Sequence, residues 1–488
     1  MKQKELSNRY PTVEIVQSSI LIMDSRATKE RKSSISQHSE FAKTLIYDYT
    51  GGIEIVKAGT LPALVEYLTR HDKLDAAFNR TFLTTYKYFL STKELIRHLI
   101  NRFENKPPDL DPSDFTEWSE NIRPLVRLRV INIFKQWLES FWVDSSRCDA
   151  TTSQDLLEIK SFVYRINDAS EAVAARQLLS IIQCRLEGVT NIKTFQPSLS
   201  NSPKPILPKK LSKLQFMKID AKEIARQLTI MESSMFSKIQ PRELLNKSWS
   251  KKDNSGGPGP APHIRASIRY SNQVSNWVVA LILAEPELKK RTQVIGHLVN
   301  VASVCYSLQN YSTVISILSG LESAPIYRLS RTWAMVTERS CNTLSPLQAM
   351  ISSAQNYQAY REIIRSAVPP CIPFLGLFLK DLTFIEDGNP NLTSDGLINF
   401  HKYSMLVSTI QEVQRFKEAP YCLQPVPELQ EYLATQLQSA PELHELWSRS
   451  CELEPRGRGD ESRLRDTYTA TGGMTTSMVV ACMVMDPD

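Results

Sequence analysis

Two acids and an amide, Glu386, Asp387 and Asn389, stand just before Pro390 at the end of a long apolar segment. An amide in such a position can cap an exposed turn, and the acids beside it carry negative charge. The flanking sequence predicts that these residues lie near the tip of a helical hairpin. Acids and amides carried on a protruding tip favour a wedge over a catalytic pocket.

The first helix of this hairpin is predicted from the segment PPCIPFLGLFLKDLTFIEDGNP, which begins at residue 369. Its prolines fix extended backbone, so a helix can begin only about Pro373, at a first-turn position. Gly388, Asn389 and Pro390 predict a left-handed stop. Between them, apolar residues recur at three- and four-residue steps: Phe374, Leu377, Phe378, Leu382 and Ile385.

A second helix is predicted to run from about Asp395 past Phe400, with Thr393 and Ser394 as candidate caps. Patterning alone favours an ordinary helix pair with an apolar core. The wedge interpretation therefore depends on evidence beyond periodicity.

Familiar catalytic and metal-binding patterns are missing from the sequence. It contains no GxxxxGK[ST] loop, HExxH, GxSxG or kinase motif set, so we expect no nucleotide, zinc or hydrolase site of its own. Its seven histidines are spread singly, and its eight cysteines include no CxxC pair. We expect no metal and no cofactor.

Composition is typical of globular protein, with 42% hydrophobic and 23% charged residues among 488. The net charge of +6 is mild and indicates no nucleic-acid partner, although it could help the chain approach an anionic membrane. No signal peptide and no apolar window long enough to span a membrane is found. These features favour a cytoplasmic protein.

Helix-like apolar stripes dominate the chain, which predicts an all-α fold. We divide it into a flexible segment at 1–48, a helical domain at 49–195, a linker rich in proline and serine at 196–214, a larger helical domain at 215–456 and a disordered tail at 457–488. Residues 52–60 also predict a short strand, and Ser91 with Glu94 predicts a capping box.

Several blocks of the chain resemble the Ras guanine-nucleotide exchange factors of the fungal type. PCIPFLGLFLKDLTFIEDGNPN followed by LINFHK resembles the most distinctive block of that family's catalytic domain. The other matching blocks keep the family's order: residues 219–249, IRYSNQVSNWV at 268–278, residues 308–333 and CELEPR at 451–456. Residues 53–103 resemble the Ras exchanger motif, the helical domain that precedes the catalytic domain.

The resemblance implies that the exchanger-motif domain packs on the catalytic domain and braces its protruding hairpin. It also implies an activity, the acceleration of GDP release from a Ras-family small GTPase by insertion of the hairpin beside the nucleotide. A non-catalytic scaffold that binds the GTPase is the alternative. Either protein would work where Ras is anchored, on the plasma membrane or endomembranes, with recruitment through other regions.

Family members also imply roles for particular residues. The wedge positions fall on Thr383 and Asp387, where some members carry leucine and glutamate. Glu386 could share the acidic role of Asp387, and Asn389 could cap the turn. The positions expected to contact the GTPase are Ile268, Tyr357 and Phe374, which match an apolar pocket, Arg269 and Lys402, which match basic positions, and Gln309 and Asn310, which match an amide block. Gln309 stands where other members often have asparagine.

Overall fold

The structure is a computed structural model that describes residues 44–49, 54–104, 112–142, 150–166, 168, 171–188, 202–251 and 259–455. Most of the segment predicted to be flexible, the whole tail at 457–488 and part of the linker lie outside the described residues. We call the described residues up to 188 the N-terminal module and those from 202 the C-terminal module. Both are built almost entirely from helices, which confirms the all-α prediction.

The N-terminal module opens with a small antiparallel sheet of β1 (Leu45–Asp48) and β2 (Ile55–Gly59), with a bulge between Ile46 and Tyr47. Its helices are α1 (Leu61–Leu68), α2 (Ala76–Thr85), α3 (Thr92–Glu104), α4 (Pro112–Glu117), α5 (Arg123–Gln136), α6 (Ala150–Tyr164) and α7 (Ala172–Leu186). A 3-10 turn at Tyr86–Tyr88 and π-helical turns at Trp118–Ile122 and Trp137–Phe141 join or extend them.

Local sequence explains where several of these helices begin. The side chain of Asp75 accepts a hydrogen bond from Phe78 N at 2.9 Å and caps α2. The predicted capping box is present ahead of α3, because Ser91 N donates to the Glu94 carboxylate at 2.7 Å and Glu94 N donates to Ser91 Oγ at 3.3 Å. Both contacts satisfy amide groups that the first turn of a helix leaves without partners.

The C-terminal module is a larger helical assembly with one dominant core. Its helices are α8 (Ala221–Phe236), α9 (Pro262–Leu283), α10 (Leu288–Ser307), α11 (Tyr311–Leu321), α12 (Ala324–Tyr327), α13 (Ser330–Ala334), α14 (Glu338–Met350), α15 (Gln358–Ser366), α16 (Leu375–Gly388), α17 (Phe400–Arg415), α18 (Pro427–Gln438) and α19 (Leu443–Leu453). Short 3-10 turns lie at Phe216–Lys218, Pro241–Leu244 and Ser248–Ser250.

The central pair of this core, α9 and α11, packs closely around Gly320. A Cβ atom at Gly320 would lie 2.7 Å from Val278 Cγ1 and 2.8 Å from Ser275 O, so only glycine permits this approach. The Ser275 hydroxyl donates to Ser316 O at 2.7 Å and fixes the same crossing.

The chain enters the C-terminal module as an extended segment that lies on α8. Ile206 N donates to Glu223 Oε2 at 2.9 Å, and Arg226 donates to Lys204 O at 3.2 Å. Described residues of the predicted linker are therefore in contact with the module that follows. The domain boundaries themselves stay predictions.

Aromatic side chains join the two modules along α17, forming what we call the aromatic seam. Phe400 stacks on Phe78 of α2 at 4.4 Å between ring centroids, and Tyr403 lies 5.2 Å from the Tyr88 ring and 5.5 Å from the Phe89 ring. Phe400 and Tyr403 are both fully buried. The N-terminal module is thus packed on the C-terminal module, as predicted.

The predicted hairpin is present as α16 and α17, and its turn differs from the expectation. Gly388 is the last residue of α16 and is not left-handed, and Asn389 is extended at φ −130°. A residue before proline avoids the helical region, so Pro390 ends the helix by restricting Asn389. Asn389 Nδ2 donates to Ile385 O at 3.0 Å and closes the last turn.

The second hairpin helix begins at Phe400, and the prediction of a helix from about Asp395 capped by Thr393 or Ser394 is wrong. Thr393 Oγ1 accepts a bond from Leu397 N at 3.2 Å within the connecting turn. Asn399 caps α17 by accepting a bond from Lys402 N at 3.3 Å. The turn is held by Ile398, whose backbone pairs with Gly59 of β2 through bonds of 2.9 and 3.2 Å.

Candidate functional site

The first hairpin helix, α16, has one buried and one solvent-facing side. Leu377, Phe378 and Leu382 are buried against the module core. The opposite face carries Lys380, Thr383, Phe384 and Asp387, which follow one another at helical spacing. The wedge positions implied by the resemblance, Thr383 and Asp387, therefore lie on one accessible side of the hairpin.

Thr383 and Asp387 differ in how strongly the protein engages them. The Thr383 hydroxyl donates to Leu379 O at 2.8 Å, so its hydrogen-bonding capacity is used within the helix. The Asp387 carboxylate pairs with Lys247 Nζ at 2.6 Å, and the Asp387 side chain is 58% exposed. An ion pair this open to water is weak, which leaves the Asp387 carboxylate available to a partner.

Glu386 turns the other way and lies in a buried junction between the two modules, which we call the Glu386 junction. Its carboxylate pairs with Lys402 Nζ at 3.0 Å, and these side chains are 8% and 4% exposed. It also accepts hydrogen bonds from the Tyr88 hydroxyl and, at 3.1 Å, from Asn246 N. Glu386 thereby connects α16 to α17, to the N-terminal module and to the loop before Ser248–Ser250.

The remaining partners of Lys402 complete the Glu386 junction. Its ammonium donates to Glu386 O at 3.1 Å and to Asn391 Oδ1 at 2.9 Å, so its three protons are all engaged. Burial, with the hydrogen bond to Glu386 as the next cause, raises the pKa of Tyr88 well above its ordinary value. Burial and the Glu386 charge do the same for the pKa of Tyr403.

The pairing of Glu386 bears on its predicted role. A carboxylate held by Lys402, Tyr88 and Asn246 does not face the solvent near the tip, so the arrangement does not favour a direct acidic contribution to the wedge. That contribution stays a prediction. The contact of Lys402 with the GTPase also stays a prediction, because its side chain is buried and paired within the chain.

The pocket positions lie on three elements. Ile268 is half-buried on α9 beside the exposed Arg269, Tyr357 is a left-handed residue with φ 61° that precedes α15, and Phe374 precedes α16. Tyr357 and Phe374 are each 4% exposed. Lys380 brings Tyr357 to the hairpin, since its Nζ lies 5.4 Å from the Tyr357 ring.

Phe374 is fixed by Tyr360, which the sequence did not single out. Phe374 N donates to the Tyr360 hydroxyl at 2.6 Å, and burial raises the pKa of Tyr360 well above its ordinary value. Arg361, the next residue, forms a two-pronged ion pair with Asp381 of α16, with distances of 2.7 and 2.8 Å. Helix α15 is therefore attached to the hairpin at two points.

Gln309 and Asn310 contact the segment that leads into the hairpin. Gln309 has φ 56°, and its side chain donates to Val368 O at 3.1 Å while its carbonyl accepts from Ile372 N at 2.9 Å. Asn310 has no exposed surface, caps α11 through Thr313 N at 3.0 Å and donates to Thr229 Oγ1 at 3.1 Å. Asn310 thus offers no atom to a partner in this conformation.

A buried acid, Glu232 on α8, completes this inner network. It is fully buried and accepts a hydrogen bond from the Thr313 hydroxyl. Burial raises the pKa of Glu232, against the smaller opposing effect of hydrogen bonds from Ser312, Thr313 and Asn310. Neither Glu232 nor Tyr360 was found from sequence, because a helical pattern does not say which polar residues meet across helices.

Within the described residues, no cluster of three or more His, Cys, Asp or Glu side chains could hold a metal ion. Nor does that part of the chain include a helix of sufficient length and apolarity to cross a bilayer.

Two family models match the chain, a RasGEF domain at residues 223–404 and a RasGEF N-terminal motif at 55–159. The chain is 32% identical over 412 residues to Ras guanine nucleotide exchange factor J of Dictyostelium discoideum, covering 83% of this chain and 48% of that protein. It is 30% identical over 466 residues to Cell division control protein 25 of Saccharomyces cerevisiae, covering 90% of this chain and 29% of that protein.

A third relative is Ras guanine nucleotide exchange factor efc25 of Schizosaccharomyces pombe, 32% identical over 408 residues, with 82% of this chain and 40% of that protein covered. The chain thus spans less than half the length of each of these three relatives. Both family models fall on the two modules described above, and the hairpin begins within the larger match. The chain belongs to the RasGEF family of Ras guanine-nucleotide exchange factors.

Proposed function

We propose that this chain accelerates the release of GDP from a Ras-family small GTPase and so promotes GTP loading. One observation carries the proposal: an accessible face with Thr383 and Asp387 stands on a hairpin whose opposite side is clamped by the Glu386 junction. The names of two relatives, which describe Ras guanine nucleotide exchange factors, support it. No covalent chemistry is required of any residue.

The proposed mechanism is a shift in binding equilibrium. A GTPase holds GDP and magnesium tightly, and a partner that binds the nucleotide-free conformation more strongly weakens that hold. The hairpin acts as the wedge, with Thr383 and Asp387 entering beside the nucleotide and Asn389 keeping the tip closed through Ile385. By thermodynamic reciprocity, GTP that then binds the GTPase releases the exchange factor.

The contact surface next to the wedge is proposed to take the second switch of the GTPase. Ile268, Tyr357 and Phe374 would accept its aromatic side chain, and the exposed Arg269 would pair with its acids. Four residues would support this surface indirectly, because they hold the segments that carry it: Gln309, Asn310, Lys402 and Glu386.

The same proposal includes where the protein acts. Ras-family GTPases are anchored to membranes, so we propose that the chain is cytoplasmic and reaches the plasma membrane or endomembranes through regions other than the two modules. The positions of the domain boundaries, at 49–195 and 215–456, belong to this proposal as well.

The alternative is a scaffold that binds the GTPase without accelerating exchange. It is favoured by the departure of Thr383 and Asp387 from the leucine and glutamate that some family members carry. Replacing both residues separates the two functions. An exchange factor loses activity in Thr383→Arg with Asp387→Arg, whereas a scaffold bound through the pocket keeps its affinity for the GTPase.

The experiment is release of a fluorescent GDP analogue from purified Ras and from purified Rap, with and without the full chain. We expect faster release from one of them, with the effect lost in the Thr383→Arg, Asp387→Arg variant. Binding without acceleration on either GTPase would favour the scaffold. Arg269→Ala should weaken binding while leaving the chain folded, since that side chain is exposed.

A further inference from the structure

The accessible face of α16 carries a large apolar side chain that the proposed wedge does not yet use. Phe384 is 62% exposed, and within α16, all of whose residues are described, it is the only large apolar side chain open to solvent. A single exposed apolar residue is common on protein surfaces. Its surroundings distinguish this one.

Phe384 lies directly beside Thr383 and one turn from Lys380 and Asp387, so it shares the face of the proposed wedge. It is also held in place. Lys380 Nζ lies 5.7 Å from the Phe384 ring and 5.4 Å from the Tyr357 ring, so one ammonium group contacts both aromatic faces. Lys380 therefore links the wedge face to the buried pocket residue Tyr357.

Thr383 offers little apolar surface to a partner, whereas the neighbouring Phe384 offers an exposed ring. A threonine whose hydroxyl is bonded to Leu379 O presents little more than a methyl group, which buries less apolar area than leucine. The neighbouring phenyl ring is larger and lies toward the side of Tyr357. We propose that Phe384, oriented by Lys380, is the apolar contact through which this wedge binds the GTPase.

This inference rests on the proposed exchange function and adds a residue to its surface. The occupant is an apolar side chain of the GTPase segment displaced from the nucleotide. Burying the exposed part of the ring in the nucleotide-free complex stabilises that complex more than the GDP-bound one, and only such a difference accelerates exchange.

The test is GDP-analogue release from Ras and Rap with the full chain carrying Phe384→Ala. We expect the second-order rate of acceleration to fall about tenfold, with a similar loss of affinity for the nucleotide-free GTPase. Phe384→Leu should recover most of the activity, because it keeps an apolar side chain. If Phe384 instead acted through the attraction between its aromatic ring and a positive charge, leucine would not restore the activity.

Tyr327→Ala serves as the matched control. Tyr327 is 64% exposed on α12, which packs against α19, and its loss should leave exchange unchanged. Thermal unfolding of Phe384→Ala should match wild type, because the ring is already largely hydrated.

Two results would overturn the inference, and they are distinguishable. If the wild-type chain accelerates GDP release and Phe384→Ala is equally active, Phe384 is not part of the binding surface, and the proposed exchange function is unaffected. A wild-type chain that neither accelerates release from nor binds either GTPase refutes the exchange function, and the role of Phe384 with it.

Discussion

Glu386 and Asp387 are adjacent acids on one helix, and the protein places them in opposite environments. Glu386 lies in a buried junction with Lys402 and Tyr88, whereas Asp387 forms a solvent-exposed pair with Lys247. A helix turns by about 100° per residue, so neighbours on it can serve different partners. The hairpin thus has an inner side that fixes its position and an outer side left available for a partner.

The largest effect is expected from breaking the inner side with Lys402→Met. Removing one partner of a buried ion pair leaves an uncompensated charge and costs about 3 to 5 kcal/mol. We expect the midpoint of urea-induced unfolding to fall markedly. The double variant Lys402→Met with Glu386→Gln should recover part of the loss, and an unchanged midpoint in the single variant would contradict the importance of the junction.

Tyr88→Phe tests the link between the modules with a smaller change. It removes the hydrogen bond that the Tyr88 hydroxyl donates to Glu386 and the one that it accepts from Asn246 N at 2.6 Å, and it leaves the Lys402 pair intact. We therefore expect a loss of about 1 to 3 kcal/mol in unfolding free energy. GDP release should also slow, since the hairpin is less firmly held. Tyr327→Phe, at an exposed tyrosine, is the control that should change neither quantity.

Glu232 extends the comparison to a buried acid that lacks a basic partner in its hydrogen-bond network. Burial raises the pKa of Glu232 in the folded protein above its ordinary value of 4.5. As the pH rises past 4.5, the Glu232 carboxyl therefore loses its proton in the unfolded chain before it does so in the folded protein. The contribution of Glu232 to stability is therefore full at lower pH and is lost as pH rises. In Glu232→Gln, unfolding midpoints measured from pH 5 to 8 should decline less than in wild type. A parallel decline in both proteins would exclude this effect.

The smallest effect is expected on the outer side, from Lys247→Ala. Exposed ion pairs contribute about 0 to 1 kcal/mol, so unfolding free energy should change by less than that. Raising the salt concentration should reduce even this difference, because salt screens exposed charges. A loss as large as that of Lys402→Met would show that the two sides of the hairpin are not distinct.

The sequence predicted what depends on neighbouring residues. Helical periodicity placed α16, and the capping box at Ser91 and Glu94 is present at the start of α3. The blocks near the hairpin also led to the correct family. These features are local, so a short window of sequence contains the cause.

What the sequence did not predict depends on contacts between distant segments. Asn399 caps α17 locally, but the turn that precedes it is held by the pairing of Ile398 with Gly59, and no local pattern reveals that contact. Glu386 was expected to share the acidic role of its neighbour Asp387, whereas the direction of its side chain is set by Tyr88 and Lys402. Phe384 did give a signal, since an apolar residue interrupts the polar face of the helix.

The aromatic seam has a consequence for the independence of the two modules. Phe400 and Tyr403 are fully buried, and their rings lie against Phe78 of α2 and Tyr88 of the Tyr86–Tyr88 turn. We expect a shortened protein that begins at residue 202 to expose this aromatic strip beside an Ile398 N–H that has lost its partner, Gly59 O. Exposed apolar area next to free backbone groups promotes self-association. We therefore expect the larger module to depend on the smaller one for its solubility as well as for the position of its hairpin.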